Sequence, residues 1–337
     1  MTTRISFAPP IKFMKATILT LLGILFALGV IAAPSETLLV LSKGDHTLAI
    51  VDPSNLKVIA KAPIGEDPHE VIASSDGKFA YVSNYGGGRY NTLAVVDLMA
   101  HKALPSIDLG PLRGPHGLAF AGGKVWFAAE AAKAVGRYDP AERKIDWIMG
   151  TGQSRTHMVM VSEDQTHIYT TNIGSATVMF LDKGAEQREW NATVVPVGKG
   201  SEGFDIAPDG RELWTANAGD GTVSIIDIAG RRVVETLQAN VRSANRLKFT
   251  PDGKLVFISM LNNPDVVVLA ADTHKEVKRI KTGKGAAGIQ MQPDGSRVFV
   301  SCTPDDYVAV INPKTFEIVG RIDAGPHPDG LAWAIGR

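Results

Sequence analysis

The sequence predicts an all-β protein, a seven-bladed propeller of four-stranded antiparallel blades, and three observations carry that expectation. A unit recurs seven times, so that His69, His116, His157, Glu202, Asn245, Ala287 and Asp329 hold equivalent places at steps of 47, 41, 45, 43, 42 and 42 residues. Each copy holds about four short runs of β-branched and aromatic residues parted by turn residues, the content that a propeller blade requires at this period. The phase of the repeat also differs at its two ends. The first copy opens on Thr37-Leu38-Leu39-Val40-Leu41, which matches a second strand, and the missing first strand, Asp329-Gly330-Leu331-Ala332-Trp333, comes last in the chain. One blade shared between N- and C-terminal strands closes the ring and removes two open sheet edges.

Before the repeats lies a stretch of another kind. Arg4, Lys12 and Lys15 precede an apolar run from Ala16 to Ile31, which ends in Ala32 and Ala33 before Pro34. A basic start, a short apolar run and small residues at its end describe a secretory signal peptide over residues 1–33. The run falls short of the roughly 20 apolar residues of a stable membrane span. The expectation is export to the periplasm or beyond, with residues 34–337 as a single propeller domain. Met14-Lys15 forms an alternative start.

Loss of the leader removes three basic residues and no acidic one, which turns an even balance of 35 basic and 35 acidic residues slightly acidic. No dense basic stripe remains, so nucleic acid is not an expected partner. The single Cys302 allows no internal disulfide. The domain is expected to hold together by packing, as a monomer with Cys302 buried.

Within a unit, an innermost strand such as Gly117-Leu118-Ala119-Phe120 runs into a tight turn, most often Asp-Gly, a pair that tolerates positive φ. The second strand carries an aromatic at one recurrent place: Tyr81, Trp126, Tyr169, Trp214, Phe257 and Phe299. These are expected between stacked blades, as core. The third strand ends in Asp52, Asp97, Asp139, Asp182, Asp227 or Asn312. A short carboxylate or amide there can bond backbone two residues on, and its recurrence marks a turn-shaping role rather than catalysis.

The runs Tyr81-Val82-Ser83-Asn84 with Asn91-Thr92-Leu93-Ala94-Val95-Val96-Asp97, and Trp214-Thr215-Ala216-Asn217 with Thr222-Val223-Ser224-Ile225-Ile226-Asp227, resemble the YVTN-type β-propeller repeat. The likeness covers residues 37–337 and implies the seven-bladed fold. It is weak for function, because that superfamily holds binding proteins, surface-layer proteins and enzymes. More loosely, Ser83-Asn84-Tyr85-Gly86-Gly87-Gly88 and the Pro-His pairs before inner strands resemble the seven-bladed lactonase family.

Scaffold explains what the copies share, and function is expected where they diverge. The loops entering the inner strands and those joining second to third strands share one face, so the seven diverging residues should ring one mouth of the central channel. His69, His116, His157 and Glu202, from four successive blades, form the sharpest constellation. Imidazoles and a carboxylate suit a divalent ion such as zinc or copper, although no His-x-His or His-Glu-x-x-His pair is present. The same ring suits a carboxylate-bearing small molecule, with Arg246 beside Asn245, or simply a wet, polar mouth. His327, between two prolines, can join it with Asp329. His46, His101, His167 and His274 are expected on solvated turns at the blade peripheries. In the loop Tyr85-Gly86-Gly87-Gly88-Arg89-Tyr90, the glycines permit close approach and Tyr85, Arg89 and Tyr90 offer stacking and charge. Asn262-Asn263-Pro264-Asp265 and Thr303-Pro304-Asp305-Asp306 read as ordinary turns.

Two functional classes follow. One is an exported module that binds a small ligand, a metal or a protein at the channel mouth. The other is a lactonase-like enzyme, in which His157, Glu202 and Arg246 would supply acid–base chemistry and a carboxylate anchor. The break at Ala287, and Ala244-Asn245-Arg246-Leu247 in place of that family's Gly-Pro-Arg-His style of entry, favour the binding module.

Overall fold

The computed structural model describes Met1 and residues 36–186 and 189–336. The chain divides into two units, residues 1–33 and 34–337. The expected signal peptide therefore lies, apart from Met1, outside the described residues. Among those described, no helix is long and apolar enough to cross a membrane.

Residues from Glu36 onward form 28 strands in seven four-stranded antiparallel sheets. Blade 1 joins the last strand, Pro328–Ile335, to Glu36–Ser42, Thr47–Asp52 and Lys57–Pro63. Its register places Leu39 against Ala332 and Val40 against Leu331, the closure that the phase of the repeat predicts. Blades 2 to 7 follow in chain order, with innermost strands Pro68–Ala73, Pro115–Ala121, Thr156–Val161, Ser201–Ile206, Ala244–Phe249 and Ala286–Met291.

The middle strands lie between neighbouring blades and bury both faces, which is why they read as unbroken apolar runs: Lys124–Ala129 is buried after its first residue. The outermost strands face water on one side, and Lys144–Gly150 alternates exposed with half-buried residues. The recurrent aromatics are core, with Trp126, Trp214, Phe257 and Phe299 wholly buried between blades.

Local polar contacts recur with the repeat. Asn84, Asn172 and Asn217, the last residues of second strands, donate from Nδ2 to the hydroxyls of Thr92, Thr177 and Thr222 at 3.2, 3.2 and 2.9 Å. That contact ties the second strand to the third across the loop, and it accounts for the Asn and Thr of the motif. At the third-strand ends, Asp52, Asp97, Asp139 and Asn312 accept the backbone N–H two residues on, at 2.8 to 2.9 Å. Asp182 departs from the row and takes His167 and Arg231 instead.

Every innermost strand begins with a bulge. Its first residue pairs the end of the second strand, as Pro115 pairs Ala129, and regular pairing resumes two or three residues later. A bulge re-aims the side chains it contains. The re-aimed residues are those that ring the channel.

Candidate functional site

His69, His116, His157, Glu202, Asn245, Ala287 and Asp329 are each the second residue of an innermost strand, one step inside the strand rather than before it. All seven line a single cavity of about 650 Å³ at one mouth of the channel. Two further rings complete it. The residue before each inner strand is left-handed in all seven blades: Asp67, Gly114, Arg155, Gly200, Ser243, Gly285 and His327 have φ between 48° and 73°. Four of these are not glycine, a conformation that costs on the order of 1–3 kcal/mol each. The carbonyl of each accepts the backbone N–H of the residue just after its blade's second strand, namely Tyr85, Glu130, Ile173, Ala218, Leu261, Thr303 and Lys43. That bond ties the two loops of each blade together at the mouth, where Arg155 and His327 of the first ring and Lys43, Tyr85, Ile173, Leu261 and Thr303 of the second line the cavity.

Blades 2 to 4 supply an aromatic wall. The His116 and His157 rings stack with centroids 3.6 Å apart and planes 31° from parallel. His69 lies 5.1 Å from His116 on its other side, and Tyr85 packs edge-on against both His69 and His116. Behind the wall sits Glu130, a buried carboxylate. Its Oε2 accepts from His157 Nδ1 at 2.6 Å, and its Oε1 accepts from the Tyr85 hydroxyl at 2.7 Å and Arg155 Nε at 3.0 Å. A carboxylate can only accept, so Nδ1 carries the proton.

These contacts set the protonation states. Burial raises the Glu130 carboxyl, but its donors, led by His157, outweigh burial and bring it down to about 2. Burial works against protonation of His157, and the carboxylates of Glu130 and Glu202 overcome it, leaving the imidazole more basic than an ordinary histidine. His116 lies the other way: burial first, then the charge of its neighbours His157 and His69, holds it well below the usual value and so neutral. Burial and the bond to Glu130 push the Tyr85 phenol up to about 12.

The floor is charged. Arg246, one residue past Asn245 in blade 6, pairs through Nη2 with Glu70 of blade 2, three blades away round the ring. Its Nη1 donates to the Asn245 carbonyl at 3.0 Å and reaches Glu202 Oε1 at 3.5 Å. The pair spans the channel and turns the mouth into a cup. Burial lowers Arg246 to about 10, which still leaves it charged at neutral pH. On the rim, Lys43 Nζ lies 3.1 Å from Asp67, 3.3 Å from Asp329 and 2.9 Å from His69 Nε2. Five carboxylates (Asp67, Glu70, Glu130, Glu202 and Asp329) therefore meet three permanent cations (Lys43, Arg155 and Arg246). The balance is negative even with His157 protonated.

Three buried atoms on residues that line the cup have no hydrogen-bond partner: His116 Nδ1, His157 Nε2 and Asn245 Oδ1. His157 Nε2 lies 3.7 Å from Glu202 Oε1, beyond hydrogen-bond distance. Asn245 donates its Nδ2 to Glu202 at 2.5 Å, which leaves Oδ1 as a free acceptor. Leaving a buried polar atom unpaired costs about 1–3 kcal/mol.

The sequence-based candidates thus separate. His69, His116, His157, Glu202, Asn245, Arg246, Asp329, Tyr85 and His327 all line the cup. Arg89 and Tyr90 do not: Arg89 Nε bonds the Gly86 carbonyl, and the Tyr90 hydroxyl bonds Glu66 at 2.6 Å on the exposed side of the loop. Asn262, Thr303 and Pro304, read as plain turn residues, do line the cup. His46, His101, His167 and His274 lie outside its lining. Lys43, Glu70, Glu130 and Arg155 escaped sequence reasoning, although comparing the copies at the end of the second strand would have exposed Lys43 and Glu130. Among the described residues, no three His, Cys, Asp or Glu side chains are grouped to hold a metal ion.

Fold and site together define a seven-bladed propeller with a cup at one channel mouth, lined largely by charged and polar side chains. The chain is similar in structure to the hydrazine synthase of Kuenenia stuttgartiensis, at 17% identity and a TM-score of 0.68 over 84% of this chain and 92% of that one. It is similar also to a proposed 6-phosphogluconolactonase from Bacteroides uniformis, at 14% identity and a TM-score of 0.72 over 89% and 100%. A protein of unknown function from Desulfotomaculum acetoxidans gives 13% identity and a TM-score of 0.72 over 89% and 99%. At these identities the likeness shows the fold alone. No protein-family model matches the chain, and no curated protein matches it.

Proposed function

We propose that this chain is an exported propeller of the YVTN type whose cup binds a small polar molecule. The observation that supports this most is the set of three buried, unpartnered atoms on His116, His157 and Asn245, three residues that line one cavity. Their cost is recovered when a ligand supplies partners. The surrounding framework is fixed before binding, because Glu130, Glu70 and Asn245 each anchor a lining side chain. Preorganised groups of this kind spend little free energy on ordering when a ligand arrives.

A second reading, lactone hydrolysis, draws on the Glu130–His157 pair. In it, water adds to the lactone carbonyl carbon while Glu202 takes its proton. His157 Nε2–H protonates the ring oxygen as the C–O bond breaks, giving the hydroxy acid. Arg246 would anchor a carboxylate.

Thermal-shift measurements on purified protein with sugars, sugar lactones, hydroxy acids, amino acids, zinc and copper test the proposal. Stabilisation of the wild type by a polar organic compound, absent in Asn245→Ala, is the expected result. Stabilisation by zinc or copper that His116→Ala abolishes would replace it with metal binding. No compound distinguishing wild type from either variant would refute a ligand site in the cup. Base uptake in a pH-stat with a lactone separates the enzyme from the binder.

A further inference from the structure

We propose that the cup takes an uncharged, hydroxylated carbonyl compound of the sugar or sugar-lactone kind and rejects its phosphorylated analogues. This rests on the cup being a ligand site and specifies the chemistry of that ligand. The unpartnered atoms ask for different things. Asn245 commits Nδ2 to Glu202, so its Oδ1 accepts and requires an O–H or N–H from the ligand. His157 commits Nδ1–H to Glu130, so its Nε2 donates when the ring is protonated and accepts when it is neutral. His116 is neutral and stacked on His157 at 3.6 Å, and its Nδ1 takes either role according to tautomer. A compound with hydroxyls beside a carbonyl or ring oxygen meets all three.

Charge argues against an anion. Every cation in the cup is already in contact with a carboxylate, and carboxylates outnumber cations. A phosphate monoester carries about −1.5 to −2 charges at pH 7. It would have to break the span between Arg246 and Glu70, or the Arg155–Glu130 pair, and would leave a buried carboxylate unmatched. A neutral ligand disturbs neither. Opposite the histidine wall, Leu261, Ala287 and Pro304 give a smaller apolar surface for the C–H face of such a ligand.

Isothermal titration of the full-length mature protein with D-galactono-1,4-lactone, D-galactose, D-galactonate and D-galactose 6-phosphate tests this. The lactone or the free sugar should bind, at an affinity insensitive to added salt, and the phosphate at least about tenfold more weakly. Asn245→Ala should weaken neutral binding about tenfold, the loss expected for one buried hydrogen bond. Alanine is tolerated at this place in the fold, since Ala287 occupies it in blade 7. His157→Gln is the second variant and should weaken binding to a similar degree. Tighter binding of galactonate or the phosphate, still lost in Asn245→Ala, overturns the charge assignment and leaves the site standing. Binding unaffected by both variants overturns the site itself. No binding of any of the four compounds overturns the proposed ligand class.

Discussion

Glu130 concentrates more of the site's electrostatics than any residue that touches the cavity. It fixes the proton on His157 Nδ1, anchors Tyr85 and Arg155, and is invisible to a search for cavity-lining acids because it stands behind them. Its pKa lies at about 2, below the ordinary carboxylate value, so its stabilising contribution is complete above about pH 4.5 and is lost as pH falls through 2. Glu130→Gln should remove on the order of 3 kcal/mol of stability at neutral pH and flatten the acid limb of the stability curve between about pH 4.5 and 2. Urea denaturation across that range checks both, and an unchanged acid limb would contradict the assignment. The same variant should lower the pKa of His157, read by its imidazole proton shifts, because the carboxylate that favours its charged form is gone. The seven-residue ring from His69 to Asp329 was legible in the sequence because the copies diverge there against a constant background. Glu70 and Arg155 were not, since each lies one or two places from the aligned column and gains its meaning only from a partner in another blade.

The bulge that opens each innermost strand is the element that turns a repeat into a site. It lets the second residue face the channel while the third sits against the next blade, and in blades 3, 5, 7 and 1 that third residue is Gly117, Gly203, Gly288 or Gly330. A Cβ on Gly117 would come within 2.5 Å of the Met158 Cα and 2.8 Å of the His157 carbonyl, closer than backbone can yield. Gly117→Ala should therefore push the inner strands of blades 3 and 4 apart, destabilise the protein by about 1–3 kcal/mol and loosen the His116–His157 stack. Chemical denaturation measures the first effect and the His116 imidazole shift the second. Wild-type values of both would show that the strands do not pack this closely. Strand order followed from the sequence, since apolar periodicity and Asp-Gly turns are local signals, but the innermost strands begin two residues earlier than the repeat suggests. The bulges were not legible, because a bulge leaves no composition of its own and arises from pairing between strands.

At the scale of the whole molecule, the ring is closed by hydrogen bonds between Pro328–Ile335 and Glu36–Ser42, and the same closing strand delivers Asp329 to the cup. Deleting residues 326–337 should expose two sheet edges and lead to aggregation or rapid proteolysis, and also remove the Asp329 contact that helps hold Lys43. A truncated protein that melts like the wild type would contradict the closure. The phase of the repeat disclosed this closure in advance. That the channel is plugged by Arg246 and Glu70 was not disclosed, because their 176-residue separation links blades that no local pattern relates. The cup as a ligand site is tested most directly by long-range ¹⁵N spectra of the histidine imidazoles during titration with D-galactono-1,4-lactone. Saturable shifts are expected at His116 Nδ1 and His157 Nε2, with His167 and His274 at the outer turns unmoved. Resonances of His116 and His157 that stay fixed at saturating lactone, or that move only together with His167 and His274, would contradict it.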